Sequence, residues 1–182
     1  MSQSKFENGE GREDGLVNTN RPRLNIPRTQ LELFCELFAA AAVIWLTLYL
    51  LVTWGSLPVS IPVHFNVAGE ANRWGSRNGL LFLYGVLAAM YAGLSMLQRF
   101  PHICNYPFDL TSQNVRQQYL LARQLLVFLK TEVVGNLAFI TWQTLQVARG
   151  RSQTLGGWFA PVFLLMIFGT IAWYIIAARK AR

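Results

Sequence analysis

Apolar residues crowd into four runs, Phe34 to Trp54, Gly79 to Leu97, Gln124 to Val147 and Trp158 to Ala178, separated by polar intervals that carry most of the prolines. Each run approaches the roughly 20 residues a helix needs to cross hydrocarbon, so the pattern predicts four transmembrane helices. The expected architecture is an all-α integral membrane protein: a four-helix transmembrane bundle over residues 29–182 behind a disordered N-terminal tail over residues 1–28. That tail, rich in Gly, Asn, Glu and Arg, has too few large apolar residues to offset the entropy of ordering. Thr29 and Glu32 have the spacing of a capping box, which starts the first helix near Leu31. Trp54, Gly55 and Pro58 end it, and Ser76 or Asn78 caps the second. Pro101 and Pro107 exclude a helix from the middle interval, and Thr111 or Ser112 starts the third helix well before its apolar part.

Composition narrows the class. About half of the 182 residues are hydrophobic (53%) and only 14% are charged, which excludes an ordinary water-soluble domain. The net charge of +7 is a topology signal and excludes nucleic acid as a partner because of where it falls. Arg21, Arg23, Arg28, Arg99, Arg116, Arg123, Arg179, Lys180 and Arg182 flank one side of the bundle. Arg73, Arg77, Arg149 and Arg151 flank the other. The positive-inside rule therefore places both termini in the cytoplasm of a multi-pass cell-membrane protein and turns the 57–77 interval outward. Cys35 and Cys104 share the cytoplasmic side and are expected to be reduced and unpaired.

Polar residues within the runs come next. Glu36, Lys130, Glu132 and Asn136 enter the bilayer, where polar groups must face the bundle interior. Lys130 and Glu132 are separated by roughly 200° on one helix and do not pair. Glu36 is expected to find Arg123 or Lys130, or Glu132 one of the loop arginines, while Glu32 sits on a solvated face. Gly85, Ala89 and Gly93 form a small-residue ridge expected to pack inside the bundle, with a second copy of the chain as the alternative. Span four carries no ionisable residue before Arg179 and reads as packing and anchoring.

The interval from Leu57 to Arg77 is the most motif-like part of the chain. Pro58 and Pro62 keep it extended, Ile61, Val63 and Phe65 alternate with His64 and Asn66, and Gly69 supplies a turn. This is a strand-like segment followed by a turn, with Trp74 at headgroup depth, Gly75 permitting close approach and Arg77 available to lipid phosphate. His64 and Glu70 are too few ligands for a metal, so no metal and no cofactor are expected. No nucleophile sits near a base and no phosphate-cradling loop is present, so an enzyme is the weakest class.

Leu57-Pro58, Ile61-Pro62-Val63-His64-Phe65-Asn66, Gly69 and Trp74-Gly75-Ser76-Arg77 resemble the signature of a bacterial membrane family, domain of unknown function 1648. Arg99-Phe100-Pro101, Asn105-Tyr106-Pro107, Thr111, Asn114, Tyr119 and Arg123 are similar to that family's second stretch. The resemblance covers Leu31 to Ala148. Asn72 stands where the family commonly shows Asp, and Arg77 where it commonly shows Lys. The family includes the SdpI-type immunity proteins, in which the same module precedes further spans and the protein senses and resists a peptide toxin. This chain has four spans, so immunity does not transfer directly. The resemblance implies recognition of an extracellular peptide or a membrane-protein partner, through His64, Asn66, Gly69, Trp74 and Arg77. Membrane lipid and a second copy of the chain are the other partners this admits. The competing expectations are a transporter or channel subunit using Lys130, Glu132, Asn136 and Gln143, and a structural membrane assembly protein.

Overall fold

The computed structural model describes residues 21–182. It has four long helices: α1 (Gln30–Thr53), α2 (Gly79–Leu97), α3 (Val115–Ala148) and α4 (Phe159–Lys180). All four are long and apolar enough to cross a membrane, so the chain is a multi-pass membrane protein. Between α1 and α2 the chain forms an antiparallel hairpin, β1 (Ser60–Phe65) and β2 (Ala71–Ser76). The all-α expectation therefore needs one addition. The first strand lies where the sequence predicts a strand-like segment, but its burial does not alternate: Ile61 and Pro62 are both buried, Val63 and His64 are both exposed, and the register shifts beyond Pro62. The polar second strand carries no such signal.

At about 50 Å for its 34 residues, α3 is longer than the hydrocarbon core is thick. It is the central post: α1, α2, α4 and β1 all pack against it, and α1 and α2 touch each other little. One core cluster joins Leu46 and Leu50 of α1, Leu57 and Ile61 beside and within the hairpin, Leu80 and Leu87 of α2, and Ala138 and Leu145 of α3. A second joins Leu121 and Ala122 of α3 to Tyr174 and Ala178 of α4. Large side chains that face away from both, including Phe34, Leu37, Leu51, Phe82, Leu165 and Phe168, form the apolar exterior that lipid covers.

At the terminal end of the bundle, Thr29 and Glu32 make the expected capping box. Glu32 is nevertheless fully buried, not on a solvated face. Both its oxygens accept from Arg123, Nε to Oε1 at 2.8 Å and Nη2 to Oε2 at 3.1 Å. The same guanidinium donates to the carbonyls of Ile26 and Pro27. Arg21 reaches the Cys104 carbonyl at 2.5 Å and lies over the Tyr106 ring. Residues 21–28 of the expected tail are thus tied down at both ends, Arg21 by the Cys104 carbonyl and the Tyr106 ring, and Ile26 and Pro27 by Arg123; residues 1–20 lie outside the described residues.

The small-residue ridge is a second correction. Gly85, Ala89 and Gly93 face outward, and a Cβ added at Gly85 or Gly93 would meet nothing within 4 Å. α2 instead packs through Leu80 and Leu87. The middle interval holds one 3₁₀ turn, Pro101–Ile103, with proline at the position where a missing N–H costs nothing. Asn78 makes no side-chain cap; Ser76 Oγ accepts from its N–H. Thr111 and Asn114 exchange side-chain and backbone hydrogen bonds just before α3.

Candidate functional site

The hairpin turn is built around Asn66. Its N–H donates to the Glu70 carbonyl, its Oδ1 accepts from the Glu70 N–H at 2.9 Å, and its Nδ2 donates to Glu70 Oε2 at 3.0 Å. The Asn66 carbonyl accepts from Gly69, which has φ +79°, a value a side chain would resist. Gly69 is also buried against the α3–α4 loop, where its carbonyl accepts from Leu155 N–H at 2.6 Å. A Cβ there would lie 2.7 Å from the Gly156 nitrogen. Glu70 and Thr154 add an isolated bridge. Gln143 secures the receiving loop from α3 by donating to Ser152 Oγ and the Thr154 carbonyl.

The hairpin's base is fixed just as firmly. Arg77 donates to the Leu57 carbonyl and its guanidinium lies 5.6 Å from the Trp54 ring, so it locks the hairpin to the end of α1. Gly75 permits the close approach expected of it, since a Cβ would stand 3.0 Å from Val63. Beneath, Ile61 joins the core cluster with Ala138 and Leu145 of α3, and the adjacent Pro62 is buried too.

His64 and Trp74 remain on the exposed surface. Trp74 is half exposed, across from Pro62 in the hairpin register. His64 Nδ1 lies 2.6 Å from Asn72 Oδ1, so the imidazole donates from Nδ1 and its neutral form keeps an acceptor at Nε2. Of the five motif residues, Asn66, Gly69 and Arg77 thus shape the hairpin, and His64 and Trp74 are presented by it. No group of three or more metal-ligating side chains occurs among the described residues.

A second polar cluster lies inside the bundle. Lys130 is fully buried; its Nζ donates to Glu36 Oε2 at 2.6 Å and Ser95 Oγ at 2.9 Å and lies over the Tyr91 ring. This is the expected pairing of Glu36 with Lys130, with the other candidate, Arg123, taken by Glu32. Glu132 does not meet a loop arginine: Thr170 of α4 donates to its Oε1. Span four therefore contributes a polar contact as well as packing. Asn136 Nδ2 donates to the Glu132 carbonyl at 2.7 Å. Outside the spans, burial pushes the Tyr106 hydroxyl and the Cys104 thiol above their usual pKa ranges. Both cysteines are free thiols, and Cys104 stays protonated and unreactive at neutral pH.

The hairpin and its flanks are also the part of the chain that matches a family model. Residues 38–88 match the family model described as Domain of unknown function (DUF1648). The matched segment runs from α1 through the whole hairpin into α2, so it contains every one of the five motif residues. An uncharacterized protein of the archaeon Archaeoglobus fulgidus is 33% identical over 88 residues, covering 43% of this chain and 47% of the relative. The match thus spans about half the length of that curated relative. No solved structure matches.

Proposed function

We propose that this protein is a non-enzymatic receptor-like component of the cell membrane whose DUF1648 hairpin recognises an extracellular peptide or a membrane-protein partner. Both termini lie in the cytoplasm on this reading, and the hairpin faces out. One observation carries the proposal: a short hairpin braced by Asn66, Gly69 and Arg77 holds His64 and Trp74 on its exposed surface. Rigid presentation lowers the ordering cost of binding, and a half-exposed Trp is a favoured anchor. The two-stranded sheet also leaves strand edges open to pairing with an extended segment. The resemblance of the hairpin motif to that of the SdpI-type module favours a toxin-like peptide as the class of ligand, for sensing or resistance.

The test is complementation of a deletion strain under membrane stress or peptide challenge. His64→Ala and Trp74→Ala should each express at wild-type level and fail to restore the phenotype. Rescue equal to wild type by both would end this reading. A transporter or channel subunit is the second reading, favoured only by Glu132 and Asn136 lining an open cleft. Proteoliposome flux that Glu132→Gln leaves unchanged would remove it.

A further inference from the structure

Glu132 is the one acidic side chain of the spans that the described residues do not neutralise. Glu32 has Arg123 and Glu36 has Lys130, whereas Glu132 has only the Thr170 hydroxyl on Oε1. Its other oxygen, Oε2, is buried and has no hydrogen-bond partner among the described residues. Lys130 cannot supply one, being on another face of α3 and already held by Glu36, Ser95 and the Tyr91 ring. Asn136 has spent an amide hydrogen on the Glu132 backbone. An ionised carboxylate with one oxygen lacking a donor in a water-poor site is unfavourable, so the charged form of Glu132 needs a donor from outside the chain.

Space for one lies beside it. A cleft of about 290 Å³ between α1, α3 and α4 is lined by Glu132, Phe38, Gly135, Phe139, Phe163 and Met166, with Trp158 at its hairpin end. Gly135 lines it without a side chain, and a Cβ there would meet only the Phe38 ring edge, at 3.7 Å. The rings of Phe139, Phe159 and Phe163 pack in a row, with centroids 5.3 and 6.3 Å apart. Aromatic and apolar side chains beside a carboxylate suit an organic cation, whose charge pairs with the carboxylate while its apolar body packs against the rings.

We propose that this cleft binds a compact, membrane-soluble organic amine in its cationic form, the ammonium donating to Glu132 Oε2 and the apolar body lying among the aromatic rings. The volume is at the small end of ligand pockets, which run from about 300 to 1,000 Å³. It suits a single arylalkyl skeleton and not a two-chain lipid. Depth argues the same way: Glu132 lies about 12 Å along α3 from Gln124, where its apolar run begins, beyond the level of lipid headgroups.

The full chain in lipid nanodiscs would be photolabelled with a diazirine-bearing phenylalkyl amine and with the alcohol of the same skeleton, and the labelled residues mapped by mass spectrometry. Labelling of Phe163 and Met166 is normalised to that of lipid-facing Phe34 and Leu37. The amine should label the cleft at least about tenfold more than the alcohol, because both probes can donate to Oε2 but only the ammonium adds charge pairing. Glu132→Gln should bring the amine down to the alcohol's level. Gly135→Leu, which fills the cleft and keeps the carboxylate, should abolish cleft labelling by both probes. Equal cleft labelling by amine and alcohol in the wild type, or an amine excess that survives Gly135→Leu, would overturn the proposal.

Discussion

Lys130 Nζ lies 2.6 Å from Glu36 Oε2, joining the middle of α3 to the first part of α1 across the bundle interior. Lys130 is fully buried, and Ser95 and Tyr91 of α2 complete its surroundings. One side chain therefore ties together three helices, two of which hardly touch each other. Removing it by Lys130→Met leaves the Glu36 carboxylate without its cation and should cost about 3–5 kcal/mol. Lys130→Met combined with Glu36→Leu should recover most of that loss, because no lone charge remains. Chemical unfolding in detergent, followed for the single and double variants, checks the difference.

Gly69 is the tightest contact between the hairpin and the α3–α4 loop. Gly69→Ala forces a side chain into positive φ and against the Gly156 backbone, so it should destabilise the protein by ~1–3 kcal/mol. Hydrogen exchange should rise in residues 66–76 and 150–157 together. Gly85→Ala, on the outward ridge with nothing near its added Cβ, should change stability by less than about 1 kcal/mol. Similar effects at the two glycines would contradict the assigned docking.

Tyr106 gives a pH dependence. Burial holds its hydroxyl protonated, and the group donates to the Pro101 carbonyl at 2.7 Å. The folded state keeps this proton at pH values where the unfolded chain, with a tyrosine pKa of about 10, has lost it. Stability is thus fully present below pH 10 and falls as pH rises beyond it, by up to about 1 kcal/mol per pH unit. Unfolding midpoints of wild type and Tyr106→Phe, compared between neutral and alkaline buffer, should show a steeper alkaline loss in the wild type.

Hydropathy alone makes the four spans legible, and α3's early start follows from the starting signals around Thr111. The Glu36–Lys130 pair is legible too, because both charges enter the same end of the bundle and neither can face lipid. Glu32 is harder: a carboxylate in a first helical turn reads as solvated unless one knows that Arg123, ninety-one residues on, reaches back to it. The ridge of Gly85, Ala89 and Gly93 misleads because small residues suit a packed face and an outward one equally. Ala71–Ser76 lacks an apolar alternation, and its pairing is dictated by the turn at Asn66 and Gly69 and by the α3–α4 loop. The unneutralised Glu132 is invisible without the neighbouring helix, since Thr170 sits in a run with no other hint of polarity.

The central claim, an outward recognition hairpin opposite cytoplasmic termini, is tested most directly by thiol accessibility in intact cells. In a background lacking Cys35 and Cys104, Ser60→Cys on β1 and Gln153→Cys on the loop that receives the hairpin both place a thiol at an exposed position. Gln153 is preferable to Ser152, whose hydroxyl joins Gln143 to Thr154. A membrane-impermeant maleimide should label both without permeabilisation, while a thiol placed at exposed Arg179 near the α4 terminus should react only after the membrane is opened. The reverse pattern, with Arg179→Cys labelled in intact cells and the hairpin positions protected, would contradict the account.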